Sequence, residues 1–172
     1  MNDFNVKFGI IGIDHRHVYT QAQFLIELGA ELVGWYTEGS PTTLGGFTKR
    51  FPKAKRFTDP RSLLENPDIK VILTSAVPND RAKISISAMK HGKDVMSDKP
   101  GCLSFSDLEQ LRQTVQQTGR IWSIDFSERF EVPAVTLASQ LVSDGAIGHV
   151  IHTLGLGPHR LNANSRPNWF FD

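Results

Sequence analysis

Residues 6–17, VKFGIIGIDHRH, constrain this chain more than any other stretch: an apolar run ends on Gly12 and breaks at once into short polar residues. Near an N-terminus such a run reads as a buried parallel strand feeding a helix. In the dinucleotide fingerprint G-x-G-x-x-G the first glycine makes the tight turn, the second lets backbone approach a pyrophosphate, and the third packs helix on strand. Counting from Gly12, the second position holds Asp14 and the third His17, so only the turn glycine is present. Asp14 is expected to cap the helix that follows, accepting from its orphan N–H groups and competing there with a phosphate. His15 and His17 form an H-x-H with no cysteine or carboxylate cluster near them in sequence, a poor ligand set, and no metal is expected.

The rest of the chain repeats strand and helix signals. Residues 18–28 carry Val18, Ala22, Leu25 and Ile26 at helical spacing and stop at Gly29. Residues 30–36 read as the second strand, whose end is where a dinucleotide fold presents an acid to the adenosine ribose; Thr37 and Glu38 are the candidates there, and a polar turn TEGSP serves equally well. A poorly periodic helix over 43–51 and a short strand at Arg56 and Phe57 come next. Asp59 then reads as an N-cap with Pro60 at the first helical position. Residues 69–76 form a central strand ending in the small Ser75 and Ala76, followed by Val77 and Pro78. Small side chains at that carboxyl end leave room for a ligand at a switch point.

A helix over 80–91 stops at Gly92, and a strand over 93–97 delivers Asp98, Lys99 and Pro100 to the same edge. Ser104 and Asp107 have capping-box form and open a helix bearing Leu108, Leu111 and Val115 as far as Gly119. Residues 121–126 read as a further strand. This alternation predicts an α/β fold with a doubly wound parallel sheet. Past it the pattern changes to a helix over 133–142 with Val135, Ala138 and Leu141 on one face, a strand over 150–156 belonging to a different sheet, and a loop-like aromatic end.

Composition narrows the function classes. Nineteen basic against eighteen acidic side chains leave a net charge of +1 with no block of like charge, which argues against nucleic acid and membrane surfaces as partners. One cysteine, Cys102, rules out an intramolecular disulfide, and no apolar leader or long hydrophobic span is seen; a cytoplasmic protein is expected.

Residues 92–100, GKDVMSDKP, resemble the G-K-H-V-x-x-E-K-P signature of the Gfo/Idh/MocA family of nicotinamide-dependent oxidoreductases. Residues 66–71, NPDIKV, look like that family's turn into its fourth strand; SERF at 127–130 is similar to N-x-R-F, and DGAIG at 144–148 to S-G-x-I-G. The resemblance implies a Rossmann domain over 1–123 and, over 124–172, the opening of a partial α+β domain for substrate and oligomerisation, since family members run to about twice this length. It implies NAD or NADP as cofactor, a small-molecule substrate with a sugar or polyol hydroxyl, and a homo-oligomer. Lys99 inherits the catalytic role, as acid/base beside the reacting hydroxyl, and its bond to Pro100 is expected to be cis. Gly12, Ile13, Asp14, His15, Arg16, Thr37, Glu38, Ser75, Ala76, Pro78, Asp98, Lys99 and Ser127 are the cofactor-binding candidates, and His159 and Arg160 the substrate candidates. Asp98 stands for glutamate, Ser127 for asparagine, and Arg81 where many members carry histidine. The alternatives to an oxidoreductase are a non-catalytic nucleotide-binding or regulatory module and an inactive fragment.

Overall fold

The structure is a computed structural model that describes residues 6–157 and 160–171. Six strands, β1 (Lys7–Ile11), β2 (Glu31–Tyr36), β3 (Lys55–Arg56), β4 (Ile69–Thr74), β5 (Asp94–Asp98) and β6 (Trp122–Asp125), form one parallel sheet in the order β3-β2-β1-β4-β5-β6. Between them run α1 (Val18–Glu27), α2 (Leu44–Arg50), α3 (Arg61–Leu64), α4 (Pro78–Lys90) and α5 (Phe105–Thr118). This is the doubly wound Rossmann arrangement that the alternation predicts.

Period-two alternation divides the core between the two faces of the sheet. Phe8 and Ile10 of β1 pack with Val18, Ala22, Trp35 and Phe47 on one side, and Ile11 packs with Leu63, Ile72, Ala82, Met89 and Leu111 on the other. The strand order reverses between β1 and β4, so their carboxyl ends open the crevice where ligands bind in such sheets.

Helix ends follow their local chemistry. Ser104 Oγ accepts from the Asp107 N–H at 3.0 Å, and α5 closes on Gly119 in the left-handed region at φ +65°. At α3 the cap position falls one residue later than expected, on Pro60, while Asp59 Oδ1 still accepts from the Arg61 N–H at 3.1 Å. The fourth helix begins at Pro78, two residues ahead of the predicted start, because proline at the first helical position needs no N–H partner.

The chain divides between Asp125 and Phe126 into two compact units. The second contains α6 (Ser127–Phe130), α7 (Pro133–Ser143) and two 3-10 turns, Ala163–Ser165 and Asn168–Phe170. The strand expected over 150–156 is not formed; those residues take no regular structure and lie exposed. A strand exists only as one side of a ladder, and among the described residues of this unit no segment supplies the other side.

Candidate active site

The turn after β1 is built on Gly12, whose φ of +82° suits glycine alone, and a Cβ there would lie 2.4 Å from the Cβ of Ala76. The Gly12 N–H donates to the Tyr36 carbonyl at 2.8 Å, the Ser75 N–H to the Gly12 carbonyl at 3.0 Å, and the His15 N–H to the Ser75 carbonyl at 2.9 Å, tying the ends of β1, β2 and β4 together. Ile13 is fully buried beside them, and its carbonyl accepts from the Thr43 hydroxyl.

Asp14 does not cap α1. His17 holds the cap position without a side-chain bond, because residues 15–18 close a turn of their own, with the Val18 N–H donating to the His15 carbonyl at 3.2 Å. That turn puts Asp14 three residues ahead of the cap. The half-buried Asp14 carboxyl is instead pushed above its ordinary pKa, first by burial and then by nearby Asp80; its own N–H, Arg81 and the Val77 N–H oppose the shift.

At the end of β5 the Asp98 carboxylate is fully buried and satisfied on both oxygens. Oδ1 accepts from His17 Nδ1 at 2.9 Å and from the Lys99 N–H at 2.8 Å; Oδ2 accepts from His15 Nδ1 at 2.7 Å and from Arg81 Nη2 at 3.2 Å. Burial alone would raise the Asp98 pKa, but the His15 and His17 hydrogen bonds and the Arg81 charge overcome it and hold the carboxyl well below the usual carboxylate range. An ionised carboxylate only accepts, so both imidazoles turn an Nδ1–H toward it. Lys99 follows, half-buried, and its bond to Pro100 is cis.

Contrary to the expectation that no carboxylate lies near the H-x-H, folding brings one from 81 and 83 residues away onto His17 and His15, so that His15, His17 and Asp98 cluster. The surroundings nonetheless disfavour a cation. Arg81 touches the same carboxylate, and at about 5 Å a guanidinium would repel a dication by about 7 kcal/mol with an effective dielectric near 20. That repulsion opposes the attraction of Asp98, whose oxygens already accept from Arg81, the Lys99 N–H and both imidazoles.

Beside the turn opens a cleft of about 330 Å³, with Ile11, Gly12, Tyr36, Pro60, Leu64, Ala76 and Ile84 among its walls and Asp14, Glu38, Asp80 and Lys83 as its charged lining groups. Thr37 does not face it: its side chain is buried and its Oγ1 accepts weakly from the Ile13 N–H at 3.5 Å. Glu38, one residue on, is exposed and lines the cleft. The apolar walls fit a planar base, and the glycine turn permits close backbone approach, so these residues suit the adenosine half of a dinucleotide.

The other candidates sit as follows. Arg16 is exposed, and Pro78 opens α4. Ser75 Oγ donates to Gln21 Oε1 at 2.6 Å, and Gln21 Nε2 donates to Asp125 Oδ2 at 2.8 Å, a polar relay between α1 and the ends of β4 and β6. Ser127 lies in the second unit, where its hydroxyl donates to Glu128 Oε2 at 3.1 Å. Arg160 is exposed, and His159 lies outside the described residues. Sequence reasoning missed Gln21, Asp80, Lys83 and Asp125 and took Arg81 only as a departure from a pattern. One signal was available: Arg81 recurs with Ala82, Ser85, Ala88 and Met89 on the buried face of α4, an unusual place for a guanidinium.

With this geometry in view, residues 6–126 match the oxidoreductase family with an NAD-binding Rossmann fold, Gfo/Idh/MocA. The chain belongs to this family. It is 35% identical to a proposed oxidoreductase of known structure from Erwinia carotovora atroseptica, with a TM-score of 0.93, covering 97% of this chain and 50% of that one. It is 29% identical over 137 residues to a levoglucosan dehydrogenase from Pseudarthrobacter phenanthrenivorans (78% of this chain, 35% of that protein). A scyllo-inositol 2-dehydrogenase (NAD(+)) from Bacillus subtilis is 30% identical over 97 residues (56% and 28%). The chain thus spans half or less of the length of these relatives. Among the described residues no helix is long and apolar enough to cross a membrane.

Proposed function

We propose that this family member moves hydride between a nicotinamide dinucleotide and a hydroxyl-bearing carbon of a sugar or polyol. The observation that carries the reading is Lys99 at the carboxyl end of β5, its backbone N–H fixed by Asp98, on the same sheet edge as the glycine turn and its cleft. The dinucleotide, when bound, supplies the hydride acceptor or donor. In the oxidative direction Lys99 accepts the substrate hydroxyl proton at Nζ, and in reduction it returns it. The similarity to dehydrogenases of levoglucosan and scyllo-inositol supports a polyhydroxylated ring as substrate.

Between the two cofactors the cleft favours NAD. Thr37 is turned inward, and among the described residues the cleft is lined by the acids Glu38, Asp14 and Asp80 against one basic group, Lys83. A ribose 2′-hydroxyl can donate to a carboxylate, whereas a 2′-phosphate adds about −1.5 to −2 of charge to that acidic wall.

A second reading, a nucleotide-binding module without turnover, draws on Asp14, a half-buried side chain where the fingerprint has glycine. Absorbance at the reduced-nicotinamide band, with NAD and a panel of inositols and anhydrosugars, separates the two. Turnover that disappears in Lys99→Ala supports the oxidoreductase; saturable NADH binding without turnover on any panel member supports the module.

Self-association loses its expected route through a strand at 150–156, but Ile151, Leu154 and Leu156 are strongly exposed and keep a homo-oligomer as part of this proposal. A solution mass equal to one chain at all concentrations would sink it.

A further inference from the structure

We propose that Arg81 is the positioning residue for Lys99, holding it from both sides, through Asp98 before it and through the Pro100 carbonyl after it. This role rests on reading Lys99 as the proton-exchanging group.

Arg81 is 1% exposed and uses its fork on three segments. Nε donates to the Ala76 carbonyl at 2.7 Å beyond the end of β4, Nη1 to the Pro100 carbonyl at 3.1 Å, and Nη2 to Asp98 Oδ2 at 3.2 Å. Asp98 Oδ1 in turn accepts the N–H of Lys99 at 2.8 Å. Guanidinium, carboxylate, Lys99 backbone and Pro100 carbonyl therefore close a ring in which Lys99 is the one member not bonded directly to Arg81 by these contacts. His15 and His17 hold the same carboxylate from the turn after β1, so it cannot follow Arg81 freely if the arginine moves.

The support behind the clamp is stiff. Ala82, Ala88 and Met89 bury the same side of α4 in the core, and Asp80, Lys83 and Ile84, neighbours of Arg81 on that helix, line the cleft. Lysine cannot replace the fork, because an ammonium is a point charge on a flexible stem, whereas a guanidinium makes several directed bonds at once.

The test uses the full chain with Arg81→Lys, which keeps the charge and removes the fork. Competitive acetylation of wild type and variant from about pH 6 to pH 10, read by peptide mass spectrometry, follows Lys99 against Lys49 and Lys53 as internal references. The expected result is a change of about threefold or more in the Lys99 rate relative to those references. An unchanged ratio in a variant whose circular dichroism is native would overturn the proposal. Should Arg81→Lys fail to fold, hydrogen exchange on the wild type decides: the Lys99 amide is expected to be protected by about a hundredfold or more, and exchange at the free-peptide rate would overturn the proposal.

Binding separates this role from the functional reading. In Arg81→Lys the affinity for ADP-ribose is expected to hold while that for NADH falls by about tenfold, since a merely unfolded cleft would lose both. Equal loss of the two ligands would count against positioning. If the wild type binds neither, the dinucleotide reading falls, and the acetylation ratio still decides the place of Arg81.

Discussion

Helices α5 and α7 read alike as sequence, and the structure treats them differently. Each carries an apolar stripe, Leu108, Leu111 and Val115 on one and Val135, Ala138 and Leu141 on the other. The first buries Leu111 and Thr114; the second buries nothing, with Leu137 57% and Leu141 48% exposed. Strands repeat the contrast, since Trp122–Asp125 pairs with β5 whereas residues 150–156 form no ladder. Local pattern decides whether a segment coils, and the elements available around it decide whether its apolar face becomes core. The first unit therefore holds its stability in buried contacts, and the second presents apolar surface outward.

The comparison breaks most visibly at Asp98. Asp98→Asn leaves the buried Arg81 charge unpaired and is expected to cost about 3–5 kcal/mol in urea unfolding. No single substitution on α7 should approach that. Because the folded Asp98 pKa is depressed, its contribution is complete above the ordinary carboxylate range and is lost only as the pH falls below that range toward the folded value. Acid titration of wild type and variant should therefore show their stabilities converging only at strongly acidic pH.

A paired substitution sharpens the contrast. Leu111→Ala should cost about 2–5 kcal/mol because it opens a cavity in a closed core, and Leu141→Ala less than about 1 kcal/mol. Thermal unfolding checks both, and equal losses would mean that α7 is packed in solution.

The smallest expected effect is at Asp14. Its folded pKa is raised, so the folded chain favours its protonated form, and the penalty of ionising it appears as the pH rises through that value. Asp14→Asn should be neutral at low pH, mildly stabilising near neutrality, and tighter for NADH by about two- to fivefold. Calorimetry at two pH values reads both effects.

Much of this was legible in the residues. Gly12, Gly92 and Gly119 mark where strand or helix must turn, and all three take positive φ. The alternation carried the sheet because each buried run needed a helix on either face. Lys99 and Asp98 were legible as a motif, yet what holds them was not, since Asp98 meets partners 17, 81 and 83 residues away and no local period records such distances. Asp14 misled for the opposite reason: its residue type suits a cap, but three residues of turn separate it from the helix.

On the proposed function, the first unit seats a nicotinamide dinucleotide in the cleft beside Gly12. Isothermal titration of NADH into the 172-residue chain and into Lys83→Glu tests it most directly, because Lys83 is exposed and is, among the described residues, the one basic side chain lining that cleft. Saturable 1:1 binding to the wild type is expected, with an affinity lower by about tenfold in the variant, for a charge reversal in the wall of the cleft facing an anionic ligand. No saturable heat with the wild type, or identical affinities for the two proteins, would contradict it.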